Sequence, residues 1–238
     1  VSKSKWKSIC HACASLLERR KWYGNIRGWN THILGCRILI VRHKYSAFIF
    51  FFCSTLLFSI GSCKKGYEAR FGPFYILDDT TVVINGDMGS RVDNQLERLL
   101  NKYPEISYAI MEKCPGSRDD EELFKAARMI YNQGVHIHLP PNAKIESGAV
   151  DFFLAGTTRT MDGGAKMGVH AWSDGNTSAT EYPVGHEEHE IYIDYYSSVG
   201  YSQHEAENLY FFIINAAGPN NIHYMTAEEI LTFGILNP

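Results

Sequence analysis

Ser147 and His170 have the residue types and local settings that acyl-transfer chemistry needs. Ser147 stands before Gly148–Ala149 and a largely apolar run ending at Ala155, a spacing that predicts a helix opening at the serine. The free N–H groups and the positive end of such a helix favour negative charge, so an oxyanion formed there would be stabilised. His170 closes the short apolar run Met167–Gly168–Val169 and is placed to act as a base. A serine with a histidine is the minimum set for nucleophilic acyl transfer. A serine at a helix start is also an ordinary N-cap, and a histidine at a strand end also serves structure, so both readings stand on the spacing alone.

The elements that must position this pair follow from periodicity. Tyr75–Leu77 and Thr81–Gly86 read as strands, Asp93–Tyr103 as a helix, and Ser107–Met111 as a buried strand running on to Cys114–Pro115–Gly116–Ser117. Asp119–Asn132 is an amphipathic helix with acids crowding its first turn and Gly134 stopping it. Val135–Leu139 is a strand, 147–155 the serine helix, and Met167–Ala171 a further strand; 172–184 has loop composition. Glu187–Ser198, Gln203–Ala216 and Met225–Gly234 are helices, the last with Thr226 as N-cap and Glu229 at N3. This order predicts a layered α/β domain with right-handed crossovers.

Charge divides the chain. Residues 1–44 hold ten Lys/Arg against one acid, Glu18, while the remainder carries a net balance of −12 within an overall −3. An acidic body argues against nucleic acid as a partner, since phosphate binding needs a basic face. Between head and body, Tyr45–Ser62 carries no charge and follows Arg42–His43–Lys44. Basic, apolar and small-residue segments in that order are the parts of a secretory signal. Ile60–Gly61–Ser62–Cys63 resembles a bacterial lipobox, which implies lipidation of Cys63 and a periplasmic or cell-surface lipoprotein. The alternative is an uncleaved single-span anchor, for which 18 residues is short against a bilayer core of roughly 30 Å. The resulting organisation is 1–44 as a basic tail without a folded domain (or with residues 1–40 untranslated), 45–63 as signal or anchor, 64–74 as a tether and 75–238 as the domain.

Four segments together resemble the Clp peptidase and crotonase (ClpP/crotonase) superfamily, most closely an exported, ClpP-like bacterial branch. Cys114–Ser117 is similar to the Ser-Pro-Gly-Gly turn that supplies an oxyanion-hole N–H; Glu146–Ala149 with Phe153–Gly156 resembles the nucleophile helix. Lys166–His170 resembles the strand with the catalytic histidine, and Tyr224–Ile230 with Phe233–Leu236 the closing helix. The resemblance spans most of residues 76–238. It implies a layered ββα spiral, a serine hydrolase of peptidase type acting on a peptide or other acyl substrate, and no cofactor. Ser147 would be nucleophile and His170 base, with Gly116, Ser117 and Gly148 forming the oxyanion hole. Two positions depart from the pattern. Ser117 replaces a glycine, which matters if that site needs a positive φ. The expected aspartate is missing from Asn220–His223, leaving Asn221 to orient His170, or an acid elsewhere such as Asp194. A catalytically silent binding or assembly module is therefore an alternative, and a homo-oligomer is open. An acyl-CoA enzyme of crotonase type is disfavoured by export.

Other groupings weigh less. Cys10–Cys13 lacks a second pair for zinc, and His186–Glu190 has only two histidines, three apart, at an acidic helix start, so no metal is expected and a solvated helix face is the reading. Lys166 is a second candidate base, although a lysine flanking a strand is ordinarily a surface charge. His136 and His138 share a strand face as core or rim residues, and the tyrosines of the last long helices read as packing.

Overall fold

A computed structural model describes residues 66–238. The signal or anchor segment, Cys63 and the basic tail lie outside the described residues. Among the described residues, ten strands fall into two sheets. In the larger, β3 (Thr81–Ile84), β4 (Tyr108–Met111), β6 (His136–Leu139) and β8 (Thr158–Met161) run parallel. The antiparallel strands β2 (Phe74–Asp78) and β1 (Ala69–Phe71) extend it to six in the order β1-β2-β3-β4-β6-β8. The smaller sheet places β5 (Lys113–Cys114), β7 (Lys144–Glu146) and β9 (Lys166–Val169) parallel, with β10 (His223–Tyr224) antiparallel at its edge.

The chain steps from the large sheet to the small one and then into a helix, and repeats. β4 and β5 lead to α2 (Asp120–Gln133), β6 and β7 to α3 (Gly148–Leu154), and β8 and β9 complete the next pair. α1 (Val92–Lys102) follows β3 in the same way. This is the layered ββα spiral expected from the sequence. Every residue of α3 is buried, so the serine helix is the inner helix of the stack. Phe152, Phe153 and Leu154 are fully enclosed, each contributing about 2 kcal/mol of apolar burial. α4 (Glu187–Ser198) and α5 (Gln203–Ala216) pack together, with α5 also against β9, and α6 (Ala227–Thr232) closes the chain. Thr226 caps α6 through a full capping box with Glu229, as the sequence predicts.

Three expectations are corrected. The tether does not extend to residue 74: Ala69–Phe71 is a strand paired with β2, so the domain begins earlier than residue 75. The strands β5, β7 and β8 were not legible, being short and partly polar. The face Glu187–Glu190 is not wholly solvated, because His189 is 1% exposed and sits between Tyr210 Oη (2.7 Å) and the Tyr182 carbonyl (3.3 Å).

Candidate active site

Register brings the serine and the histidine together. β7 and β9 are parallel neighbours with Glu146 opposite Gly168, and Ser147 and His170 follow at the same ends of these strands. The Ser147 N–H donates to the Gly168 carbonyl at 2.9 Å, which ties the strand-to-helix turn to β9. Both residues line one small cavity. Among the described residues Ser147 is the single non-glycine with positive φ (φ 54, ψ −137). Such a backbone costs an L-residue roughly 1–3 kcal/mol and persists where the surroundings impose it. It also changes the N-cap expectation: Ser147 holds the N-cap position of α3, yet its side chain accepts no capping hydrogen bond. The hydroxyl is thus not consumed by the helix.

His170 is oriented by backbone. Its Nδ1 lies 2.8 Å from the Ala171 carbonyl, which only accepts, so Nδ1 carries a proton and in the neutral ring Nε2 is the nitrogen with the lone pair. Ala171 is itself fixed, its N–H donating to the Ala217 carbonyl at the end of α5 at 2.8 Å. Asn221 does not hold the ring. It is exposed in the turn before β10, its N–H donates to the Gly218 carbonyl, and its side chain makes no hydrogen bond among the described residues. Asp194 is exposed on α4 and is no orienter either. Lys166, at the exposed start of β9, has its ammonium 5.6 Å above the Tyr224 ring and does not line the serine's cavity, so it is not desolvated as a base would need to be.

The predicted oxyanion turn meets the serine. β5 and β7 pair in parallel with Cys114 opposite Ile145, which sets residues 116–117 against 147–148. A Cβ on Gly116 would lie 3.0 Å from Ser147 Cβ, and Gly116 has φ 137, so this position requires glycine twice over. The Ser117 substitution does not distort the turn, because the positive φ falls on Gly116 and not on Ser117. Met88 bridges the turn, its N–H donating to Gly116 O and its carbonyl accepting from Arg118, which leaves the intervening Ser117 N–H outside that ladder. Gly148 opens α3, where an N–H has no intrahelical partner. The turns that carry the Ser117 and Gly148 N–H groups therefore meet beside Ser147. Contact is close: a Cβ on Gly148 would lie 2.3 Å from Ser117 Oγ.

Sequence reasoning missed the acids and aromatics behind the serine. Asp120, at the first turn of α2, accepts hydrogen bonds from Ser117 Oγ and from Tyr192 Oη, the latter at 2.5 Å. Asp151 is buried, with Tyr196 Oη donating to its Oδ1 at 2.6 Å and Tyr195 Oη to its carbonyl at 2.6 Å. Burial pushes the Asp151 carboxyl up to about 7, against the Tyr196 hydrogen bond and assisted by the nearby charge of Asp120. Burial also raises Tyr192, and Asp120 raises it further. Asp120 read as an acid complementing a helix dipole. Asp151 did carry a signal, since a lone acid four residues after Ser147 in an apolar helix shares its face. Outside the cavity, Glu146 accepts from Lys144 (2.9 Å) and Tyr224. Burial alone would raise Glu146; these two partners and the nearby His170 hold it below the usual range.

Among solved structures, the chain is similar to the 1510-N membrane protease specific for a stomatin homolog from Pyrococcus horikoshii, at 17% identity over 66% of this chain and 70% of that one (TM-score 0.42). It is also similar to ClpP1 from Listeria monocytogenes, at 14% identity over 67% of this chain and 90% of that one (TM-score 0.43). A methylmalonyl CoA decarboxylase is similar at 14% identity over 71% and 68% of the two chains (TM-score 0.44). At these identities and scores the likeness concerns the course of the chain alone. No family model matches the sequence, and neither does any curated protein.

Proposed function

We propose that this protein is a serine hydrolase, peptidase-like in its chemistry, with Ser147 as nucleophile and His170 Nε2 as general base. The observation that carries the reading is the strained, uncapped Ser147 sharing a cavity with a histidine whose tautomer leaves Nε2 free. In the first step Ser147 Oγ attacks the substrate carbonyl while His170 Nε2 takes its proton. The Ser117 and Gly148 N–H groups face the developing oxyanion. His170 then returns the proton to the leaving group, and water repeats the sequence on the acyl-enzyme. The backbone carbonyl behind His170 fixes the ring but supplies less charge than a carboxylate would, so the site is expected to be slow. That same contact favours the second reading, a silent binding or assembly module of the same fold. Hydrolysis of an activated ester by the full-length chain separates the two. The first requires turnover that disappears in both Ser147→Ala and His170→Ala; turnover unchanged in either variant would remove it.

Among the described residues no helix is long and apolar enough to cross a membrane. We propose export as a lipoprotein processed at Cys63 on the strength of the basic, apolar, small-residue and cysteine order. Cys63→Ala should leave the chain unprocessed. Mass spectrometry that finds residues 45–62 still attached in the wild type would establish the uncleaved anchor instead.

A further inference from the structure

We infer that the substrate of this site carries a small, non-anionic acyl group, of the size of an acetyl or glycyl unit. The inference rests on the hydrolase reading and deepens it. Once a carbonyl is seated between Ser147 Oγ and the two N–H groups, the group on its acyl side enters the cavity that begins at Ser147, Gly148 and His170. That cavity has a volume of about 30 Å³, room for roughly one or two waters or a methyl-sized group. A longer chain has no space unless the wall retreats.

The wall is held in place by hydrogen bonds as well as by packing. Trp172 and Tyr192 stack with ring planes 3° apart and centroids 5.8 Å apart, and Tyr192 stacks in turn on Tyr210 at 5.5 Å. Trp172 Nε1 donates to Tyr210 Oη (3.1 Å), which meets His189 Nδ1 (2.7 Å), while Tyr192 is anchored to Asp120. Moving any ring outward breaks one of these bonds and leaves a polar group without its partner. Ile214, 3% exposed, closes the apolar side. The charge of the lining points the same way. Asp120 and Asp151 both line the cavity and no lysine or arginine does, so a carboxylate on the acyl group would find two acids and no lysine or arginine to pair with.

The test uses full-length protein whose Ser147 is first shown to react with a fluorophosphonate. kcat/KM is then measured for p-nitrophenyl acetate, butyrate and hexanoate and for mono-p-nitrophenyl succinate. We expect a fall of at least roughly tenfold from acetate to hexanoate, the scale at which pockets discriminate chain length, and a larger fall for succinate than for butyrate. Ile214→Ala should narrow the acetate-to-hexanoate ratio; Ile214→Val, which removes a single methyl, should narrow it less and preserves the fold if the larger truncation does not. Hexanoate or succinate turned over as well as acetate by a reactive Ser147 would overturn the inference while leaving the hydrolase reading in place. A folded protein with unreactive Ser147 would overturn both.

Discussion

At the scale of single residues, the backbone of Ser147 sets stability against the chemistry proposed for it. An L-residue at φ 54, ψ −137 is strained, and its hydroxyl forgoes the capping bond that serines at helix starts normally make. Ser147→Gly should therefore raise the unfolding free energy by about 1 kcal/mol while abolishing turnover, because relief of strain exceeds the entropic cost of glycine. Chemical denaturation checks it; a loss of stability would show that the serine is structural. Asp151 makes a second, independent prediction. Its carboxyl is raised from 3.8 to about 7 in the folded protein, so the native state keeps a proton that the unfolded chain has released. Stability should fall as pH rises from about 4 to 7 and change little above that, a span worth of the order of 4 kcal/mol. Asp151→Asn should flatten this slope in thermal melts taken across the range. An unaltered slope would place the titrating group elsewhere.

At the scale of elements, the site is a product of three parallel turns laid side by side. β5, β7 and β9 each end at one level, so Gly116–Ser117, Ser147–Gly148 and His170 meet although they are far apart in the chain. Close approach of the first two turns makes Gly148→Ala a severe change. The new Cβ would sit 2.3 Å from Ser117 Oγ and 2.9 Å from Leu123, forcing the oxyanion turn away from Ser147. Turnover should drop by at least ~100-fold, the scale of losing one oxyanion donor, with secondary structure unchanged by circular dichroism. An active Gly148→Ala enzyme would mean that the close fit of the two turns is not needed for turnover.

The same elements show what the sequence could and could not disclose. α2 and α6 were legible because caps and acidic first turns mark them. β7 was not, since Lys144–Ile145–Glu146 is too short to show alternation, although it sets the register on which the site depends. Ser147 and His170 were legible through local motifs. The partner of His170 was not, because a backbone carbonyl leaves no trace in residue identity; the search for a side chain led to Asn221 and Asp194, which do not touch the ring. Asp120 and Tyr192 were hidden for a different reason: their pairing spans two helices distant in sequence.

At the scale of the whole molecule, the spiral supplies the floor and first walls of the site, and the helical pair α4–α5 supplies the back wall through Tyr192, Tyr196 and Tyr210. The proposed nucleophile and base thus come from the repeating ββα units, while the proposed selectivity would come from the segment that follows them. The proposed hydrolase chemistry requires that Ser147 be activated where it stands. Peptide mapping by mass spectrometry after fluorophosphonate treatment of the folded, full-length protein tests it directly. Phosphonylation of Ser147 in the wild type, and its strong reduction in His170→Ala, is the predicted result. Label on other serines alone, or none on a protein that circular dichroism shows to be folded, would contradict it.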